Sequence, residues 1–341
     1  MTRADYDASQ NAEKAVAAQV NQDTSGEAFS ADERIDAEAQ ARLPFFRSRL
    51  GVENPNAAQF ARDDVTKAFA AAGEPFLQAG ADDYPELQTM AAEQTQRYNE
   101  VHGTDYPPPA IGMMTNLKEY TGTSSMYYSD RDMTVFDPEI LERLRTDPNY
   151  TQGLIAHEIS HRYQNTDEDL LHQLRFIAAR NQGIEPTTKM LEANRVREGK
   201  ADIAAAEVTS PEKVSAFLVG TAHDGWTAYN RYYDETMRAD PNTPEGQIAV
   251  DFPNLSEFER TGLLARGLDE TATSENMHPS YVGRLELMRA LKDNPELLKR
   301  DLQVDSQANI IRVEGEGPGY TPAQLDQINT NADKAVGIRG Q

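Results

Sequence analysis

Apolar residues recur every three to four positions over two early stretches of the chain. That spacing predicts helices from about Asn56 to Ala72 and from about Glu86 to Val101. Phe60, Val65 and Phe69 are the larger apolar residues of the first, while His102-Gly103 and the run Pro107-Pro108-Pro109 stop the second. Residues 1–40 ahead of them are polar and weakly patterned, which predicts a mobile or loosely helical lead-in. After the prolines the period shortens. Ile111 to Thr115 reads as a strand, and Ser125–Tyr128 with Met133–Phe136 reads as a hairpin turning at Ser129–Asp132. Asp137-Pro138 has the form of an N-cap and first helical residue, predicting a helix to about Arg145, and Asp147-Pro148 opens the next one. Further helices are expected at about Asp167–Asn181, Pro186–Val208, Pro211–Val219, His223–Arg238 and Ser280–Leu291, with a loop at Asp240–Pro244. The last stretch, through Gly315 to Gly319, has little core pattern.

The pattern predicts an α+β fold, predominantly helical, with a small antiparallel sheet or hairpin just before the helix that Asp147 opens. Three regions are expected: a polar N-terminal segment over 1–40, a main domain over 41–305 and a polar tail over 306–341. A hydrophobic fraction of 38% in 341 residues is enough for a core. The net charge of −23 argues against a nucleic-acid backbone or an anionic membrane as partner. Without cysteine, any metal must be held by His, Asp or Glu. The N-terminus shows no apolar signal-peptide core, and runs such as Ala216–Val219 are too short to span a bilayer. The expectation is a chain without membrane insertion, cytoplasmic or exported without a signal peptide, a secreted effector being one such case.

The strongest chemical signal is His157-Glu158-Ile159-Ser160-His161. Histidines four apart share one helical face, so both imidazoles can reach one ion. Glu158 lies about 100° round the helix from His157. It need not be a ligand, and can instead take a proton from a metal-held water and pass it to a leaving amine. Leu154, Ile155 and Ile159 give this helix an apolar stripe beside the histidines, as an internal helix requires. A zinc site of this type needs a third protein ligand and an open position. Among Glu192, Glu198, Asp202 and Glu207 of the later helix, Glu198 with Asp202 one turn on is the best placed pair, and Glu192 is the runner-up ligand. Glu198 would ligate, while Asp202 would accept the free ring N–H of a ligand histidine. Ala201 and Ala204 to Ala206 would let the two helices approach closely, whereas Gly199 costs ~1 kcal/mol relative to Ala in a helix.

His157–His161 followed by Glu198-Gly-Lys-Ala-Asp202 resembles the M48-type gluzincin zinc metallopeptidases. His278-Pro279 and Arg284, opening a late helix, resemble a further element of that family, and the likeness covers about residues 85–292. It implies a gluzincin-type peptidase core, Zn2+ as cofactor, and a protein or peptide substrate lying along the hairpin's edge strand. It also implies His278 or Arg284 over the cleft, stabilising an oxyanion, with Tyr281 a weaker candidate; His278 can alternatively close the metal's open position at rest. The membrane helices of the best-known members have no counterpart here. The same residues also suit a zinc-binding regulatory or interaction protein with a latent cleft, or a zinc hydrolase acting on something other than a peptide.

Overall fold

The computed structural model describes residues 1–25, 29–73, 76–80, 82–115, 117, 124–221, 278–315, 317 and 319–336. The helix expected at His223–Arg238 and the loop at Asp240–Pro244 lie outside them. The α+β, predominantly helical class is observed. Helices α1 (Arg3–Asp23), α2 (Ala31–Ser48) and α3 (Pro55–Ala72) come first, then strand β1 (Phe76–Gln78), α4 (Pro85–His102), β2 (Ala110–Met114), β3 (Ser125–Tyr128) and β4 (Met133–Phe136). Helices α5 (Ile140–Thr146), α6 (Pro148–Ser160), α7 (Asp167–Asn181) and α8 (Thr188–Val208) follow. Residues 211–221 are helical, and α9 (Tyr281–Asp293), β5 (Asp301–Val304), β6 (Ile310–Glu314) and α10 (Pro322–Val336) complete the described elements. No helix among the described residues is long and apolar enough to cross a membrane.

Of the two forms expected for the polar lead-in, the helical one is observed, as regular helix. Capping boxes start α1 (Thr2 with Asp5) and α2 (Ser30 with Glu33), each satisfying two backbone groups reciprocally. Helix α2 packs against both α1 and α7. Its buried stripe mixes Ile35, Ala39 and Phe46 with Glu38, which is why hydrophobic periodicity alone misses it. The fully buried Glu38 accepts hydrogen bonds from Asn21 (2.9 Å), Asn181 (3.2 Å), Gln182 (2.9 Å) and Arg42 (3.1 Å). Glu13 is held by Arg42 and Arg49. Such charges are tolerated inside because each is paired and hydrogen-bonded.

The first sheet has the order β1-β2-β4-β3 and is mixed, not purely antiparallel, because β2 pairs parallel to β4. The hairpin β3–β4 forms in the expected register, Ser125 opposite Phe136 and Tyr128 opposite Met133, and among the described residues β3 ends the sheet. Alternation along β3 buries Ser125 and Tyr127, and β3 contacts α6. The hairpin tip is fastened from below: Asp132 accepts from Tyr127 Oη (3.0 Å) and Arg162 Nη2 (2.6 Å), and Arg162 also donates to the Pro107 carbonyl. After the hairpin, Asp137 Oδ1 accepts from Glu139 N (3.1 Å) and forms a turn, so helix begins only at Ile140. The tail expected to lack a core forms β6 and α10 instead, and β6 pairs with β5 of the main domain. Leu302, Val304, Ile310, Leu325 and Ala332 are buried there, in the same core cluster as Leu154, Ile155 and Ile159.

Helix α6 starts as its Asp-Pro pair predicts, with Asp147 Oδ1 accepting from Tyr150 N at 3.0 Å and Pro148 in the first turn. Every residue from Gly153 to Ser160 is buried. Gly153 lets segment 211–221 approach: a Cβ there would lie 2.3 Å from the Lys213 carbonyl oxygen. Gly→Ala inside a helix ordinarily gains ~1 kcal/mol, but overpacking against backbone costs ~1–3 kcal/mol. Gly153→Ala is therefore expected to lower the thermal midpoint, reversing the usual sign, in a calorimetric comparison with wild type. At Gly199 the approach is less tight: a Cβ would lie 3.0 Å from Val304 Cγ2 of β5, a side chain that would have to give by a few tenths of an ångström.

Candidate metal centre

Helices α6 and α8 pack together, with the small residues Ala201, Ala205 and Ala206 of α8 buried. This closeness brings the pentapeptide and the later acidic pair to one point. His157 lies in the last turn of α6, and His161 follows in a short 3-10 turn, His161–Tyr163, that keeps right-handed backbone angles. The i, i+4 relation therefore survives the helix end. His157, His161 and Glu198 are all buried, and one ligand atom from each lies within 4.8 Å of the others. Glu198 Oε2 is 3.2 Å from His157 Nε2 and 3.5 Å from His161 Nε2. Tetrahedral ligands bound to zinc at about 2.0–2.1 Å lie roughly 3.3–3.4 Å apart, so these separations fit one ion. Glu198 Oε2 is buried and, among the described residues, accepts no well-directed hydrogen bond, an expensive arrangement unless a cation shares the space. The group can hold a metal ion.

Both histidines are oriented by their second nitrogen. His157 Nδ1 is 2.9 Å from Asp202 Oδ1, as the Glu198/Asp202 spacing predicts. Arg284 donates to both oxygens of the same carboxylate, Nε to Oδ2 at 2.6 Å and Nη2 to Oδ1 at 2.7 Å. Burial opposes the charge on Asp202, but Arg284 and His157 outweigh it and hold the carboxyl at about 2. An ionised Asp202 only accepts, so Nδ1 carries the proton and Nε2 keeps its lone pair for a metal. Burial likewise opposes protonation of His157, yet the facing carboxylates of Asp202 and Glu198 lift it to about 9. A bound ion would have to compete with a proton at that nitrogen. Glu198 sits well below the ordinary carboxylate range: burial raises it, but the facing His161, His278 and His157 prevail. For His161 the orienting partner is Gln164, whose Oε1 is 3.0 Å from Nδ1 while its Nε2 donates to the Arg197 carbonyl at 3.1 Å. The second bond fixes the amide's direction and hence the tautomer of His161.

Glu158 points elsewhere, as its place on the helix requires. Its Oε1 accepts a 2.6 Å hydrogen bond from Ser125 Oγ at the start of β3. His278 Nε2 is 3.5 Å from Glu198 Oε2, and its side chain keeps 31% exposure where those of His157, His161 and Glu198 keep 8% or less. It therefore stands on the solvent side of the centre. Arg284 does not lie over the cleft: it is 2% exposed, behind Asp202, with its guanidinium 5.6 Å from the Phe217 ring centroid. The runner-up ligand Glu192 is on the exposed face of α8, and Tyr281 is half-buried at the start of α9. His102 stacks on Tyr98 and Tyr163 (6.0 and 5.0 Å between centroids) and His172 is half-buried on α7, both outside the centre; His223 is not among the described residues.

Two residues at the centre escape sequence reasoning. Gln164 had an available signal, three residues after His161 at turn spacing. Ser125 had none, because its partner is 33 positions away. No protein-family model matches this chain, and neither a curated protein nor a solved structure does.

Proposed function

We propose that the protein is a zinc-dependent endopeptidase of the M48-type gluzincin kind, with His157, His161 and Glu198 as the zinc ligands. The observation that carries this reading is the convergence of those three side chains at tetrahedral spacing around a carboxylate oxygen that accepts no well-directed hydrogen bond among the described residues, with Glu158 alongside but not among them. Two histidines with one carboxylate are a common catalytic zinc set and leave a position open. When bound, the ion supplies Lewis acidity, which polarises a scissile carbonyl and brings deprotonation of water to near pH ~7. Glu158 acts as the general base towards water and returns the proton to the leaving amine. Asp202, backed by Arg284, and Gln164 keep the imidazoles in the ligating tautomer. Strand β3 ends the sheet beside α6, so an extended peptide can pair along it with its backbone near Glu158.

Unfolded casein is expected to be cut by the wild-type protein, the cutting to stop when a chelator removes the metal, and to return on adding zinc. His278, 3.5 Å from Glu198, also favours a second reading in which the centre is closed in a regulatory protein. Stoichiometric zinc with intact casein, in the wild type and in His278→Ala alike, would sink the peptidase reading and favour the second.

A further inference from the structure

Ser125 does more than fill a place in the sheet. It is buried at the first position of β3, and its hydroxyl meets the Glu158 carboxylate at 2.6 Å, the length of a charge-assisted O–H···O bond. Glu158 is itself buried, and among the described residues its Oε2 accepts no hydrogen bond. Oε1 is thus tied to the strand while Oε2 is left for a proton. A second tie runs between the same two elements. Arg162, next to His161, donates to Asp132 at the far end of the hairpin at 2.6 Å, and Asp132 in turn accepts from Tyr127 of β3. Strand and metal-bearing segment are therefore clamped at two places, one on the carboxylate and one beside a ligand.

We propose that Ser125 is a positioning residue for Glu158, holding Oε1 so that Oε2 faces the reacting water, and that it thereby sets the base at a fixed offset from a peptide paired on β3. This rests on the peptidase reading given above. A satisfied core hydroxyl would also be buried, but its loss would not act on turnover alone. A carboxylate released from this tie samples other rotamers, and misplacement by about 1 Å can cost on the order of 10²-fold in rate. Peptide pairing to the strand backbone is untouched by a side-chain change, so KM stays put.

The test compares Ser125→Ala and Ser125→Thr with wild type, using a fluorogenic peptide derived from a casein cut site and the zinc-loaded full chain. Ser125→Ala is expected to lower kcat by about 10- to 100-fold, with KM, zinc content and melting temperature unchanged. Ser125→Thr, which keeps the hydroxyl on a residue suited to strands, should recover most of that loss. Native kcat in Ser125→Ala overturns the proposal, as does a rise in KM at constant kcat. Crystal structures of zinc-loaded wild type and Ser125→Ala give an answer independent of turnover and of how well threonine fits. A displaced Glu158 carboxylate supports the clamp, and an unmoved one refutes it. If instead wild type and Glu158→Gln turn over equally, the peptidase reading fails, and the two structures still decide what Ser125 does.

Discussion

Replacing Glu158 with glutamine is expected to abolish peptide hydrolysis while leaving the metal bound. The amide has the shape of the carboxylate but cannot take a proton from water at neutral pH. Ser125 Oγ can still donate to the remaining carbonyl oxygen, so the side chain should stay in place. None of the proposed ligands His157, His161 and Glu198 is altered, and the bonds of Asp202 and Gln164 that orient the two imidazoles do not involve Glu158. Loss of a general base costs roughly 10²–10⁴-fold, enough to take a slow endopeptidase below detection. Mass spectrometry of casein digests, paired with metal analysis of the same protein, separates the outcomes. Equal cutting by the variant would mean that Glu158 is not the base, and loss of the metal would mean that it supports the site in another way.

Removing Asp202 should have the largest effect on both stability and metal affinity. The carboxylate has no exposure, and Arg284, its bidentate partner, is 2% exposed. Asp202→Ala leaves that guanidinium buried without its counter-charge, a break that costs about 3–5 kcal/mol. It also frees the His157 ring, and loss of such an orienting carboxylate typically costs 10–100-fold in metal affinity. A double variant, Asp202→Ala with Arg284→Met, removes both charges and should regain much of the stability without regaining the affinity. Denaturant melts and competitive zinc titration on the three proteins test this. If the double variant is no more stable than Asp202→Ala, the ion pair is not the source of the loss. The pair also predicts acid behaviour. Asp202 falls from an ordinary 3.8 to about 2 on folding. Its contribution is thus fully present above about pH 4 and fades as pH drops through 2. Asp202→Ala should lack that limb of the stability curve.

The ion pair also shows how an element can be legible while its role is not. His278-Pro279 and Arg284 stand out in the sequence, and resemblance sets one of them over the cleft. The structure separates them: His278 faces the solvent side of Glu198, whereas Arg284 runs beneath Asp202. Residue type and spacing fix neither direction, because the route of α9 past α8 depends on packing of the whole core. The N-terminal helices fail in the opposite way. Their interior carries Glu13 and Glu38, so a rule that equates burial with apolar side chains reads them as solvent-facing. Apart from Arg42, one turn from Glu38 in the same helix, the arginines and amides that make those glutamates tolerable come from other elements, Asn181 and Gln182 being 143 and 144 positions from Glu38.

By itself the sequence determined what depends on neighbours a few residues apart. These are the hairpin register, the Asp147-Pro148 start of α6, the shared face of His157 and His161, and the one-turn spacing of Glu198 and Asp202. Backbone periodicity dictates all of them locally. Tertiary structure alone decided the parallel pairing of β2 with β4, the glycine contacts that let 211–221 and β5 approach α6 and α8, the meeting of Ser125 with Glu158, and the side of the centre on which Arg284 lies. Each of these joins residues distant along the chain, and only packing of the complete core brings such residues within reach of one another.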